Sequence, residues 1–391
     1  MIPFEEALEL ALTTESSGSV ESVPLKEACG RILAQDVISD MDMPPFDKSA
    51  VDGFACRMED LGKNLKILET IAAGKMPVFR VEAGQCTRIM TGAPLPEGAD
   101  CVVMVEDSAL AGDQHVQFSI RNTAPNICYR GEDVKAGQVL IRAGSFIKAA
   151  DIAVMASAGC HRPEVFQKTR VAVISTGDEL VEPDQKPEAS QIRNSNAWQL
   201  MAQCAQMGLD AQYLGIVSDE EQETLEIIRK ACDLADVILL TGGVSMGDFD
   251  HVPAMMQKAG FDILFRKIAI QPGRPTVMAR MGNKICFGLP GNPVSSFVLF
   301  ELLVKPVLYR RMGHQYKADI LRLEMGADYR RKRTDRMNVI PVRLENASQV
   351  IPVGYHGSAH IHAMTEARGL LVIPAGISEI RKGSPVDVRL L

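Results

Sequence analysis

The chain has 391 residues, of which 46% are apolar and 23% charged, and a formal net charge of −7. That is the make-up of a soluble globular protein with room for about two to four domains. The acidic balance argues against a general nucleic-acid binder, leaves room for local basic sites, and fits carboxylates gathered around a divalent cation.

Over 1–165 the pattern is mixed and mainly β, in what reads as two subdomains. A helix is expected over 4–12 and a second over 25–36, followed by a Pro- and Asp-rich stretch at 40–54. Short β runs at 66–72, 86–90 and 101–106 are separated by turns such as 93–98, and a strand is expected at 139–142. A helix over 149–158 closes at Gly159.

From Thr169 to about 312 the chain alternates strictly. Strands are expected at 171–175, 211–217, 237–240, 263–270, 276–280 and 284–287. Between them lie helices at 196–207, at 219–232 with Ser218 or Asp219 as cap, and at 251–258; a last helix starts at Pro293. Continuously apolar strands between helices predict an α/β domain with a central doubly wound, mostly parallel sheet covered on both faces. Residues 319–391 show short β runs at 338–344, 370–374 and 386–390, a small all-β, barrel-like domain.

The nine cysteines form no C-x-x-C pair, which suggests reduced thiols and no zinc site. Met1-Ile-Pro-Phe-Glu-Glu carries no basic leader pattern, and the apolar run 297–308 is broken by Glu301 and Lys305 and is too short to span a bilayer. A cytoplasmic protein without membrane partners is expected.

Chemistry is expected at strand ends. Three loops fall there: Ser175-Thr-Gly-Asp-Glu-Leu180, Thr241-Gly-Gly-Val-Ser-Met-Gly-Asp-Phe-Asp250, and Gly288-Leu-Pro-Gly-Asn-Pro-Val-Ser-Ser296. Together they offer backbone N–H donors, hydroxyls and the carboxylates Asp178, Glu179, Asp248 and Asp250. Glycine lets a phosphate approach the main chain, and carboxylates hold Mg²⁺. Asn292 as N-cap and Pro293 at the first helical position predict a helix start with free N–H groups for an anion, helped by Ser295 and Ser296. Lys267 and Arg274 bracket a Pro-Gly turn and form a further oxyanion candidate.

These segments, with Phe46-Asp-Lys-Ser-Ala-Val-Asp-Gly-Phe-Ala55, Arg88-Ile-Met-Thr-Gly-Ala-Pro-Leu-Pro-Glu-Gly-Ala99, Arg130-Gly-Glu-Asp133 and Gln271-Pro-Gly-Arg-Pro275, resemble the molybdopterin molybdenumtransferase family (MoeA and the gephyrin E domain). The resemblance implies a transferase of molybdenum cofactor biosynthesis that inserts molybdate into adenylylated molybdopterin, with Mg²⁺-dependent cleavage of the pyrophosphate link, giving molybdenum cofactor and AMP. It implies a homodimer whose α/β domain is similar to the molybdopterin adenylyltransferase, with transient contacts to that enzyme and to molybdoenzyme acceptors. Catalytic positions would be Asp52, Asp133, Glu179, Asp219 and Asp250, with Glu179 and Asp250 holding the metal. Substrate or molybdate would meet Thr176, Gly177, Gly242, Gly243, Ser245, Lys267, Gln271, Arg274, Pro290, Pro293 and Ser295.

Three positions depart from the family pattern. Relatives often carry Lys where Gln271 and Arg274 stand, and Arg where Pro341 stands, although Arg336 lies near the family's basic position. His356, His360 and His362 read as incidental to a loop-and-strand segment, with His360 and His362 on one strand face and Ser358 the better anion donor. Arg330-Arg-Lys-Arg333 reads as a solvated loop. Alternatives are the adenylyltransferase reaction, which needs only the central domain, and a non-catalytic scaffold, which would not need the acidic set.

Overall fold

The computed structural model describes residues 1–13, 18–244, 251–354 and 357–391. The chain divides into two compact units: Met1–Ala34 with Gly144–Lys148 and Glu164–Leu391, and Gln35–Ala143 with Ala149–Pro163.

The α/β part of the first unit rests on a six-stranded sheet. Its order is Ala211–Val217, Val171–Thr176, Val237–Thr241, Lys284–Leu289, Val277–Met281, Asp262–Phe265. The first four strands are parallel and the last two join antiparallel, so the sheet is mostly parallel as expected. Val171 and Val173 enter one apolar core, Ala172 and Ile174 the opposite one. A strand buried on both faces must be apolar at every position, which is why it reads as an unbroken run. Helices Phe4–Thr13, Asn196–Gln206 and the run from Pro293 cover one face; Glu221–Leu234 and Val252–Lys258 cover the other. Across the sheet Ser175 lies opposite Thr241, and Thr241 opposite Leu289, so three strands end at one level.

The last helical run is Pro293–Leu299, then a π-helical turn at Phe300–Val304, then Lys305–Arg311. Pro306 has no N–H and its ring crowds the carbonyl one turn back, so the ladder widens just before it. The Glu301 carbonyl accepts a hydrogen bond from Arg389 Nη2, on the last barrel strand. The Glu301 carboxylate, 3% exposed, accepts from Gln203 Nε2 at 2.8 Å and from Lys305 Nζ at 2.9 Å. Burial alone would lower the Lys305 pKa, but the charge of Glu301 and its hydrogen bond outweigh it and hold the ammonium above its usual 10.5.

Downstream, Met337–Leu344, Gln349–Pro352, Ile320–Met325, Pro385–Leu390 and Gly369–Ile373 close into a ring, since the last pairs back with the first. This is the barrel-like domain read from the sequence, with Met325, Ile340, Val342, Ile373 and Val388 inside. Ile270–Gln271 pairs parallel to Met337–Leu344, Gln271 opposite Asn338, and so ties the Pro-Gly turn to the barrel. Arg331 is no solvated side chain: its guanidinium donates to the carbonyls of Ile377, Pro374 and Arg336 at 2.6, 2.6 and 2.9 Å.

The second unit holds another six-stranded sheet, in the order Cys101–Met104, Gly53–Cys56, Gln85–Ile89, Asn64–Ile71, His115–Phe118, Ser108–Leu110. It brings the Phe46–Ala55 and Arg88–Ala99 motifs side by side, with Gly53 opposite Ile89.

Four local expectations are corrected. Residues 25–36 form a 3-10 turn at Leu25–Glu27 and then irregular chain, because Gly30 sits at φ 80° and the N–H groups of Gly30, Leu33 and Ala34 bond to Ile147, Ser145 and Glu164. The strand expected at 263–270 is split between the sheet (Asp262–Phe265) and the barrel (Ile270–Gln271). Neither Ser218 nor Asp219 caps the next helix, which starts at Glu221; Ser218 Oγ donates to Glu223 Oε2 at 2.6 Å. His360 and His362 belong to a turn and a 3-10 segment, Ile361–Thr365, not a strand face, and His356 lies outside the described residues.

Removing Glu301 leaves Lys305 half-buried without its counter-charge. Glu301→Ala is expected to cost about 3 kcal/mol, read from thermal and urea unfolding. Because the Lys305 pKa is raised on folding, its contribution is complete below the unfolded value of 10.5 and drains away as pH rises through the higher native value. A wild-type advantage that vanished already at pH 8 would contradict this assignment.

Candidate active site

The three level strand ends wall a cavity of about 690 Å³. Thr176, Gly177 and Glu179 form the first wall, Gly242, Gly243 and Val244 the second, and Pro290 to Pro293 the third. Ile192, Arg193, Asn194, Ser195 and Asn196 close a fourth side, while Ala359 and Ile361 reach in from the barrel. A cleft of this size at the carboxyl ends of parallel strands is where this class of sheet holds a small molecule.

Glycine is required where two walls meet. Gly242 has φ 100°, and a Cβ there would stand 2.3 Å from the Thr176 carbonyl oxygen. No side chain fits between those backbones.

Side chains then lock the walls together. Asn196 Nδ2 donates to Thr241 Oγ1 at 2.7 Å and to the Gly291 carbonyl at 2.8 Å, joining the second and third loops. Ser175 Oγ donates to Asn194 Oδ1 at 3.0 Å, Asn194 Nδ2 to the Tyr213 hydroxyl at 2.9 Å, and that hydroxyl to Glu182 Oε1 at 2.7 Å. Burial first, and then the Glu182 carboxylate, push the Tyr213 phenol above its usual range, so it remains a neutral donor.

Charge in the cavity is mixed: Glu179 and Asp219 against Arg193. The Glu179 carboxylate folds over Gly177, with Oε2 2.5 Å from where a Cβ on that glycine would be. Asp178 Oδ1 accepts the Asp219 N–H at 3.1 Å and fixes that loop. Oxygen donors of this kind suit a hard cation such as Mg²⁺. Among the described residues no group of three or more His, Cys, Asp or Glu side chains is gathered for a metal.

The helix start at Pro293 differs from the expectation. Asn292 occupies the N-cap position, but its side chain makes no cap bond. Pro293 has no N–H, and the Val294 N–H is spent on the Ser358 carbonyl at 2.9 Å. Ser295 is 2% exposed and Ser296 fully buried, and neither lines the cavity. The loop before the helix therefore shapes the wall, with little of its first turn open to an anion.

Of the residues singled out in the sequence, Thr176, Gly177, Glu179, Asp219, Gly242, Gly243, Pro290 and Pro293 meet in the cavity. Lys267, Gln271 and Arg274 belong to the turn tied to the barrel and do not line it, although the adjoining Pro275 does. Ser245, Asp248 and Asp250 lie outside the described residues. Asp52 and Asp133 belong to the second unit. There Asp52 Oδ1 accepts the N–H and the hydroxyl of Thr91 at 2.6 and 2.8 Å, which holds its carboxyl below the usual range, and Asp133 is exposed. Arg193, Asn194 and Asn196 escaped the sequence reading, in which Asn196 was only a helix start; two Asn and a Ser crowded before a helix, just after a strand-like pair, were the available signal.

Residues 2–159 match the MoeA N-terminal region (domain I and II), 172–310 the probable molybdopterin binding domain, and 323–391 the MoeA C-terminal region (domain IV). A molybdopterin molybdenumtransferase of Staphylococcus epidermidis is 34% identical over 402 aligned positions, covering 100% of this chain and 95% of that protein. The chain belongs to the MoeA family. A second such relative, from Bacillus subtilis, is 33% identical over 407 positions, covering 100% and 94%. A crystal structure of the molybdopterin biosynthesis moeA protein from Pyrococcus horikoshii OT3 superposes with a TM-score of 0.86 at 30% identity, covering 100% of both chains. MoeA architecture thus extends through the whole chain, the cavity-bearing part included.

The Gly242 contact gives a direct test. Gly242→Ala is expected to cost roughly 3 kcal/mol or more, from the left-handed backbone and the carbonyl clash. At Gly291, on the facing wall, a Cβ would come no nearer than 3.8 Å, to Gly242 Cα, so Gly291→Ala should stay within about 0.5 kcal/mol in the same unfolding assay. Equal losses would show that the two loops do not meet as described.

Proposed function

We propose that this MoeA-family chain is a molybdopterin molybdenumtransferase: it inserts molybdate into adenylylated molybdopterin and releases AMP with the completed cofactor. The observation that carries the reading is the cavity itself, where glycine-rich backbone, hydroxyls, one guanidinium and two carboxylates converge on a space of about 690 Å³ at three parallel strand ends. Its relatives bear that activity in their names over the full length of the chain.

In this reading the loops at Gly177 and Gly242 take the pyrophosphate against main-chain N–H groups, with Arg193 offsetting its charge. Glu179 and Asp219, joined by Asp250, would hold Mg²⁺, which needs only one or two protein carboxylates when substrate phosphates complete its shell. When bound, that ion polarises a phosphoryl oxygen and stabilises the charge that develops as the link breaks. The tetrahedral molybdate dianion wants guanidinium and ammonium donors, which assigns it to the Lys267–Arg274 turn. Asp52 and Asp133 remain catalytic candidates on their motifs. A homodimer and transient contact with the adenylyltransferase and molybdoenzyme acceptors complete the proposal. Among the described residues no helix is long and apolar enough to cross a membrane.

Purified protein with adenylylated molybdopterin, Mg²⁺ and molybdate should release AMP in a molybdate-dependent way, and Glu179→Gln should slow that release about 100-fold with an unchanged melting temperature. Absence of molybdate-dependent release would overturn the proposal, and adenylylation of free molybdopterin by ATP would point to the adenylyltransferase reaction instead.

A further inference from the structure

The residues ahead of helix Phe4–Thr13 reach the oxyanion turn. Ile2 lies opposite Ile268 in a parallel bridge: its N–H donates to the Lys267 carbonyl at 3.2 Å, and its carbonyl accepts the Ala269 N–H at 2.8 Å. Ala269 passes the contact on, since its own carbonyl accepts the Met337 N–H at 3.0 Å, beside the pairing of Ile270–Gln271 with the barrel strand. The stretch 267–271 is therefore the middle line of a small ladder, with Ile2 on one side and Met337 on the other.

Ile2 is itself anchored. Its side chain packs against the apolar core that holds Phe4, Ala7 and Ala11 of the helix, and the Pro3 carbonyl accepts the Ala7 N–H at 3.1 Å, so helix and bridge are continuous. The two cations of the turn are held differently. The Arg274 carbonyl accepts the N–H groups of Ile268 and Thr276 at 3.1 and 3.0 Å, and Thr276 Oγ1 donates to the Gly273 carbonyl at 2.6 Å, all within the turn. The Lys267 carbonyl is held by Ile2, from outside it.

We infer that Ile2 is a positioning residue for the oxyanion turn, acting through the backbone of Lys267 and Ala269 to hold Lys267 in register with Arg274. This rests on the proposed molybdenumtransferase reading, in which that turn takes molybdate. A small dianion is bound best by groups whose spacing is set before it arrives, and an arm that must first be ordered binds it more weakly. Among the described residues Ile2 makes no hydrogen bond to those lining the cavity, where the pyrophosphate-bearing substrate is held. The two ligands should therefore respond separately to a change at Ile2.

Equilibrium dialysis with molybdate alone, and KM values for molybdate and for adenylylated molybdopterin, test this in the full chain with Ile2→Gln and Ile2→Leu. Gln sets an amide against the apolar core and so releases the bridge without adding charge near the turn. Leu keeps the apolar anchor. Ile2→Gln should raise the Kd and the KM for molybdate about tenfold, with the KM for adenylylated molybdopterin and kcat at saturating molybdate unchanged. Ile2→Leu should keep wild-type values. A purely structural Ile2 would lower the melting temperature and move both KM values together, or neither; each of these results overturns the inference while leaving the function standing. A wild-type chain that releases no AMP with molybdate overturns the function, and one that also binds no molybdate overturns both.

Discussion

The register of three parallel strands is the constraint on which the site depends. Ser175, Thr241 and Leu289 lie level across the sheet, so the loops that follow leave from one edge at one height. A parallel ladder allows no hairpin between neighbours, and each loop must turn back into a helix on a sheet face. The loops therefore crowd one another, close enough that Gly242 faces the Thr176 carbonyl and Asn196 reaches both Thr241 and Gly291. Slipping one strand by two residues, about 6.6 Å, would separate every one of these contacts.

The barrel is held to that edge in three places. Gln271 pairs with Asn338, the Ser358 carbonyl takes the Val294 N–H, and Arg389 takes the Glu301 carbonyl at the π-helical turn. The last contact has a local cause in Pro306, and Glu301 then gathers Gln203 and Lys305 around a buried carboxylate. Ala359 and Ile361 line the cavity next to the Ser358 carbonyl, which is bonded to the helical run that starts at the cavity wall. A small all-β domain thus supplies part of the cavity's lining.

Much of this was legible in the residues. Unbroken apolar runs marked the buried strands, and glycine-rich loops after them marked the edge where chemistry gathers; Thr176, Gly177, Glu179, Gly242, Gly243, Pro290 and Pro293 of those loops line the cavity, as does Asp219, which only the family resemblance assigned to chemistry. Local pattern failed where tertiary contacts took the backbone groups. Leu25, Ala28, Ile32 and Leu33 have helical spacing, yet the N–H groups of Gly30, Leu33 and Ala34 serve distant carbonyls. The run 263–270 is apolar enough for one strand, but its ends belong to different sheets. The start at Pro293 kept its proline and lost its anion site, because nothing in the sequence shows that the Ser358 carbonyl will arrive there. Asn196 was hidden for the same reason: its partners lie 45 and 95 residues away.

The proposed reaction requires one ligand to touch all three strand-end loops at once. Hydrogen–deuterium exchange with and without adenylylated molybdopterin measures this in the intact chain. Slowed exchange at 175–180, 192–196, 241–244 and 288–294 together, with the barrel strands Ile320–Met325 and Pro385–Leu390 unchanged, is the result the structure predicts. Protection confined to the barrel, or to one loop with the other two unaffected, would contradict it.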